Sequence, residues 1–186
     1  MIADAMDGRN VIEGVHLILP RGNVTGPVIT VKTAPWDWGT TVIAIESAQV
    51  GDVILIDSSG CNMAVWGGLA SLAAQSRGVA GSVIYGACRD VDAIKKLGFP
   101  VWTRSVTPRA GKPLNNGRVN IPISIGESTI EPNDIIRADA VGAVVIPAKK
   151  VTDVASKVKV ILEKENIIEE GLKRGKNFSD LIGFCH

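Results

Sequence analysis

Between Val53 and Arg104 the chain alternates short apolar runs with small-residue helical stretches, and this alternation constrains the fold most. A Gly51-Asp52 turn leads into Val53-Ile54-Leu55-Ile56-Asp57, an apolar run ending in a polar residue. Such a run fits a strand buried on both faces. Leu69–Arg77 reads as a helix closed by Gly78. Val79–Tyr85 reads as the next strand, and Val91–Leu97 as a second helix closed by Gly98. Val101–Arg104 is a third short strand, leading into a Pro108–Gly117 loop. Strand, helix, strand, helix, strand in this order argues for a mostly parallel α/β layer.

The flanks add to this layer. Ile2–Met6 reads as the end of a short helix, and Val24–Lys32 alternates as a strand. Thr41–Ala48 reads as a helix with Ile43, Ala44 and Ile45 buried. After residue 118, Val119–Ile125, Ser128–Ile130, Asp134–Ala138 and Gly142–Ile146 read as short strands of a β-rich second layer. A C-terminal helix is expected over 149–175, regular from Lys149 to about Lys173. Val154, Val158, Ile161, Leu162, Ile168 and Leu172 fall near one of its faces. The tail carries Phe178, Leu181, Ile182 and Phe184, which suit core packing or docking on a neighbouring subunit. With 186 residues, 46% of them hydrophobic, and no repeat or low-complexity linker, residues 1–186 are expected to form a single domain.

Other classes are disfavoured. A net charge of +1 gives no basic footprint for direct nucleic-acid binding. The three cysteines, Cys61, Cys88 and Cys185, form no CxxC pair and are odd in number, which argues against a disulfide framework or zinc site. The opening segment is acidic at Asp4 and Asp7, unlike a signal peptide. No apolar run reaches the roughly 20 residues that span a bilayer. A cytoplasmic protein with no membrane partner is expected. His16 and His186 are the only histidines, so a histidine-based triad or multi-histidine metal site lacks its residues.

The chemistry concentrates between Trp66 and Asp90. Gly67-Gly68 opens the first helix. The N–H groups of Leu69 and Ala70 can there hold a carboxylate, or the glycines can simply serve a tight turn. Arg89-Asp90 follows a strand at the end where open α/β sheets bind ligands. The pair offers a cation for a carboxylate and a hard oxygen for a divalent metal. Equally, Asp90 can be the N-cap of the next helix. Asp92 reads as a first-turn residue of that helix and Asp57 as a strand-end turn residue. Cys88 lies beside Arg89, whose charge can lower a thiol pKa, although strand packing is the commoner use. Trp36, Trp38, Trp66 and Trp102 suit packing better than a pocket. No Walker loop appears, and no GxGxxG follows a strand.

The run GGLASLAAQSRGVAGSVIYGACRDVDAIKKLGFPVW is similar to the core of the family that includes regulator of ribonuclease activity A and the 4-hydroxy-4-methyl-2-oxoglutarate aldolases. IADAMD, GDVILID, GFPVWTRSVTPR and VNIPISIGESTIEPNDIIRADAVGAVVIP extend the resemblance over nearly the whole chain. Its most specific part is Gly68, twenty intervening residues, then Arg89-Asp90. The resemblance implies an α/β fold, an α-β-β-α sandwich related to the swivelling phosphohistidine domain. It also implies a homotrimer, sometimes paired into a hexamer, with sites between subunits. In the aldolases the site takes Mg²⁺ or Mn²⁺ and pyruvate. By resemblance, Asp90 would ligate the metal and Arg89 would contact the keto oxygen. Gly68, Leu69 and Ala70 would hold the carboxylate, with Asp4, Asp92 and Glu165 as supporting acidic candidates.

The resemblance thus implies a divalent-metal-dependent lyase, an aldolase or oxaloacetate decarboxylase, that passes through a pyruvate enolate. A metal and an arginine stabilise that charge without a Schiff-base lysine. One departure matters: the dedicated aldolases tend to carry an acid where this chain has Gly68. The glycine form resembles the ribonuclease-regulator branch, so a non-catalytic protein-binding regulator of a ribonuclease is the alternative. A methyltransferase label also attached to the family lacks a methyl-donor loop here. Ordered structure is expected from the first residues, so a piece found in relatives is expected to be missing. Domains of this family also occur joined to sugar-phosphate enzymes.

Overall fold

The computed structural model describes residues 1–59 and 62–184; Cys61, Cys185 and His186 lie outside them. In chain order the first elements are α1 (Ile2–Ala5), β1 (Val11–Ile12), β2 (His16–Leu17), β3 (Val24–Lys32) and α2 (Gly39–Ser47). Next come β4 (Val53–Asp57), β5 (Ala64–Trp66), α3 (Gly68–Ser76), β6 (Gly81–Cys88), α4 (Val91–Leu97) and β7 (Val101–Val106). The remainder is β8 (Arg118–Val119), β9 (Ile123–Ile125), β10 (Ser128–Ile130), β11 (Ile135–Ala138), β12 (Ala143–Ile146), α5 (Val151–Lys173) and α6 (Phe178–Ile182). Two compact units divide these elements: residues 10–148, and a smaller unit of residues 1–9 with 149–186.

In the larger unit β3, β4, β6 and β7 run parallel, with Ile29 beside Ile54, Ile54 beside Ser82, and Val83 beside Trp102. These are the strands expected from the sequence, and α2, α3 and α4 connect them. Every residue of β4 is buried, as an apolar run covered on both faces should be. One face carries Val31, Ile54, Ile56 and Ile84 against Ala44 and Ile45 of α2, Ala74 of α3 and Ile94 of α4. The other carries Val28, Leu55, Val83 and Trp102 against Ile123, Ile130, Ile136 and Val145. The sheet therefore curls back over its second face, and the unit is a mixed α/β fold. Gly78 and Gly98 follow α3 and α4 in the left-handed conformation, as expected of helix stops.

The structure corrects the sequence reading in several places. The strands after residue 118 are not a separate layer. β11 pairs antiparallel with β3 and β12 with β11, so both extend the main sheet, and β9–β10 forms a two-stranded sheet. The expected strand Val119–Ile125 is broken at Asn120, which adopts a positive φ of 56°, and at Pro122, which has no N–H to donate. Ile43 is 42% exposed. Helix α2 starts at Gly39, and its buried turn falls on Thr40, Thr41, Ala44 and Ile45, which sends Ile43 outward. On α5 only Val154 of the expected stripe is buried, whereas Leu162 and Leu172 are exposed. β1, β2 and β5 have two or three residues each and carry no readable period.

Candidate active site

Strand β6 ends at Cys88, and the next peptide is tied to the turn before α3 by the Arg89 N–H, which donates to the Trp66 carbonyl at 3.0 Å. This bond brings Arg89-Asp90 beside Gly67-Gly68, although 20 residues separate Gly68 from Arg89. Asp90 sits in the left-handed region at φ 58°, ψ 39°. Aspartate tolerates that conformation better than most residues, and strain of this kind clusters at functional positions. The consequence is directional. Asp90 occupies the N-cap position of α4 but gives that helix no side-chain cap. Its Oδ2 instead accepts the Gly68 N–H at 3.2 Å, at the N-terminus of α3, and lies 3.3 Å from Arg89 Nε. Asp90 thus caps α3 rather than α4, and the Gly68 N–H that was expected to face a substrate carboxylate is taken by the Asp90 carboxylate instead.

Glycine is needed for this approach. A Cβ on Gly67 would lie 2.7 Å from Asp90 Oδ2, and one on Gly68 would lie 3.0 Å from the Ala93 Cβ. The turn is locked by Ser71, whose Oγ accepts from Trp66 Nε1 at 2.8 Å and donates to the Gly67 carbonyl at 3.1 Å. The first intrahelical bond of α3 is Ser71 N–H to Gly67 at 3.0 Å. The N–H groups of Leu69 and Ala70 lie before it, where a helix supplies no acceptor. Together with Arg89 they make a short arc of donors suited to a carboxylate.

A cavity of about 730 Å³ opens beside this arc, lined at that end by Gly67, Leu69, Ala70, Arg89 and Asp90. Trp38 and Trp66 also line it, so two of the tryptophans serve a pocket as well as packing. Trp66 is buried and stacks on Phe99 at 6.2 Å, Trp102 is in the core, and Trp36 is exposed. Asp92 joins Asp90, Gly68 and Ala93 on a second, shallower depression. Asp57 is buried and ion-paired with Lys32, and it accepts the Ser59 N–H at 2.8 Å. Asp4 and Glu165 belong to the smaller unit, where the N-terminal ammonium beside Asp4 lowers its pKa. Cys88 does not gain an acidic thiol from Arg89. Burial pushes it up to about 11, against the Thr103 hydroxyl and with the Asp90 charge, so it packs rather than attacks.

Sequence reasoning missed Asp37. It is completely buried, and its carboxylate accepts from Gly39 N–H (2.7 Å), Leu114 N–H (3.1 Å), Asn115 N–H (3.0 Å) and Asn116 N–H (2.7 Å). The hydroxyls of Thr33 (3.1 Å) and Thr40 (2.9 Å) donate to it as well. Burial alone would raise its pKa; the bonds from Asn116, Thr40, Gly39 and Asn115 outweigh it and hold the group at about 2. Asp37 thereby anchors the loop whose Ala110 and Gly111 line the cavity. An aspartate just before a helix, three residues ahead of Thr40, was the available signal.

No group of three or more His, Cys, Asp or Glu is gathered among the described residues. Asp90 is a partly exposed carboxylate whose Oδ1 takes no hydrogen bond from a described residue. A lone hard oxygen of this kind fits a Mg²⁺ or Mn²⁺ ion that keeps most of its waters and borrows oxygens from a substrate. It does not fit a metal needing an all-protein cage.

Residues 1–145 match the family model described as RraA-like, Aldolase/RraA, and the chain belongs to that family. It is 39% identical over 178 residues to an uncharacterized protein of Methanocaldococcus jannaschii, covering 94% of this chain and 86% of that one. It is 39% identical over 160 residues to a Halalkalibacterium halodurans protein named "Putative 4-hydroxy-4-methyl-2-oxoglutarate aldolase", covering 85% and 76% of the two chains. Among solved structures, an uncharacterized protein from Pseudomonas syringae pv. tomato matches with TM-score 0.85 and 26% identity over 97% of this chain and 90% of that one. Streptomyces coelicolor RraAS2, titled an unusual member of the RNase ES inhibitor RraA protein family, shares the fold at TM-score 0.79 and 24% identity. That match covers 89% of this chain and 87% of RraAS2.

Proposed function

We propose that this chain is a carbon–carbon lyase, dependent on Mg²⁺ or Mn²⁺, that releases pyruvate from oxo acids by aldol cleavage or decarboxylation. The observation that carries the reading is the Asp90 carboxylate held at the N-terminus of α3, with Arg89 beside it and a cavity in front. The aldolase name on a relative 39% identical supports the same class. The Leu69 and Ala70 N–H groups bind the substrate carboxylate and fix its plane. Arg89 lies against the 2-oxo oxygen. As the C3–C4 bond of a 4-hydroxy-2-oxo acid breaks, its electron pair moves to C3 and the 4-hydroxyl proton leaves to water. Arg89 counters the charge that collects on the 2-oxygen of the pyruvate enolate. Asp90 would hold the ion, which would supply Lewis-acid stabilisation of the developing charge. Protonation of C3 by solvent completes pyruvate. In oxaloacetate the bond broken releases CO₂, and the same enolate remains.

The test is pyruvate release from oxaloacetate and from 4-hydroxy-4-methyl-2-oxoglutarate, with Mg²⁺, Mn²⁺ or chelator. Turnover above the free-metal background, lost on chelation and at least 100-fold lower in Asp90→Ala, is the expected result. A folded protein with no such turnover would sink the proposal. Gly68 favours the second reading, a regulator that binds a ribonuclease. The acid of the dedicated aldolases is absent there, and a side chain at 68 would press on the Ala93 methyl at 3.0 Å. That reading expects capture of a ribonuclease and unchanged binding in Asp90→Ala.

A further inference from the structure

We propose that the cavity between α2 and α3 is a tail site, and that the acid taken by this chain is a 2-oxo acid carrying an extended apolar chain. The inference rests on the placement of the oxo-acid head at Arg89 and Asp90 argued above. From that end the cavity follows α3 to Arg77 at its C-terminal cap, a helical rise of about 13 Å for the nine residues of α3. Its volume of about 730 Å³ lies within the range of small-molecule sites and far exceeds a pyruvate unit. Charge is confined to the two ends. Arg89 and Asp90 stand at one, and Arg77 and Glu46 at the other, where Arg77 Nη2 donates to the Glu46 carbonyl at 2.6 Å. Between them the wall is Trp38, Val42, Ile45, Trp66, Ala70 and Ala73. A short dicarboxylate leaves this stretch wet, whereas an alkyl chain removes it from water.

The Thr41 hydroxyl does not interrupt this apolar wall. Thr41 also lines the cavity and is 1% exposed. Its Oγ1 is the one buried side-chain oxygen or nitrogen without a hydrogen bond among the described residues. Native proteins rarely leave such a group unsatisfied. With no accessible surface of its own, that oxygen presents nothing polar to the cavity, and the wall at Thr41 stays apolar.

The experiment is a fluorescence titration of the full chain, since Trp38 and Trp66 line the cavity. Straight-chain 2-oxo acids from pyruvate to 2-oxooctanoate are added in the presence of Mg²⁺. Dissociation constants should fall about fourfold per added methylene until the cavity is filled. Ala73→Leu occupies the groove from an exposed helix position that tolerates leucine. It should abolish the chain-length gain and leave the pyruvate constant unchanged, with an unaltered thermal melt as the folding control. A flat series, absence of binding, or an equal loss for every acid in Ala73→Leu would overturn the tail site. A steep series without pyruvate release would leave the tail site standing and remove the lyase reading.

Discussion

At the scale of single residues, the site depends on where one carboxylate points. The left-handed backbone at Asp90 turns its Oδ2 from α4 to the Gly68 N–H, and Gly67 leaves the space it occupies. Gly67→Ala puts a methyl group 2.7 Å from that oxygen and must move it. Because the Asp90 side chain is 40% exposed, it can swing toward solvent at small cost to the fold. The expected outcome is pyruvate release at least tenfold lower, with stability changed by under about 1 kcal/mol. Steady-state kinetics beside a thermal melt check both halves; unchanged kinetics would show that the carboxylate position is immaterial. The sequence made Arg89 and Asp90 legible, because a strand end that meets a helix start is where α/β sheets bind ligands. It could not show the direction of the Asp90 side chain, since that follows from a backbone conformation that alternatives at the N-cap leave open. Nor could it show Asp37 as a hub, because three of its backbone donors arrive from Leu114, Asn115 and Asn116.

At the scale of elements, Asp37 joins the start of α2 to the loop at the cavity rim. Removing the carboxylate leaves buried N–H and hydroxyl donors without an acceptor, and each such loss costs about 1–3 kcal/mol. Asp37→Ala should therefore destabilise the protein by about 3 kcal/mol or more, measured by urea unfolding at pH 7. The pH dependence follows from the depressed pKa of about 2. The unfolded carboxyl titrates near the ordinary value of about 3.9. The folded form binds its proton at lower pH, so the contribution is whole above about pH 4 and is lost as pH falls toward 2. Asp37→Asn should flatten the unfolding midpoint across that window relative to wild type; an identical slope would mean that other carboxylates set it. The parallel strands β3, β4, β6 and β7 were readable because buried apolar runs of four or more residues mark themselves. The edge strands β1, β2 and β5 were not, because pairing with β12, β7 and β6 defines them rather than any period of their own.

At the scale of the whole molecule, α5 carries the strongest remaining argument. It has 23 residues, yet only Val154 and Gly171 are buried. Its ion pairs, among them Lys157–Asp153 and Lys173–Glu169, lie on exposed side chains and add little to its stability. Helices in proteins gain most of their stability by packing an apolar face, and here such a face is present but open. On that face Leu162 is 39% exposed and Leu172 44%, and Phe178, Ile182 and Phe184 of the following tail are exposed as well. Scattered apolar residues need no explanation, but this many on one helix and its tail lead us to propose a partner surface. We propose further copies of the chain as that partner, as the family resemblance implies. Light scattering of the purified protein should accordingly give three times 19.6 kDa, or twice that for a hexamer. Leu162→Glu with Leu172→Glu places charges on the open face and should shift the mass toward 19.6 kDa without unfolding the larger unit. A wild-type mass of 19.6 kDa at micromolar concentration would show that the face serves something other than self-association.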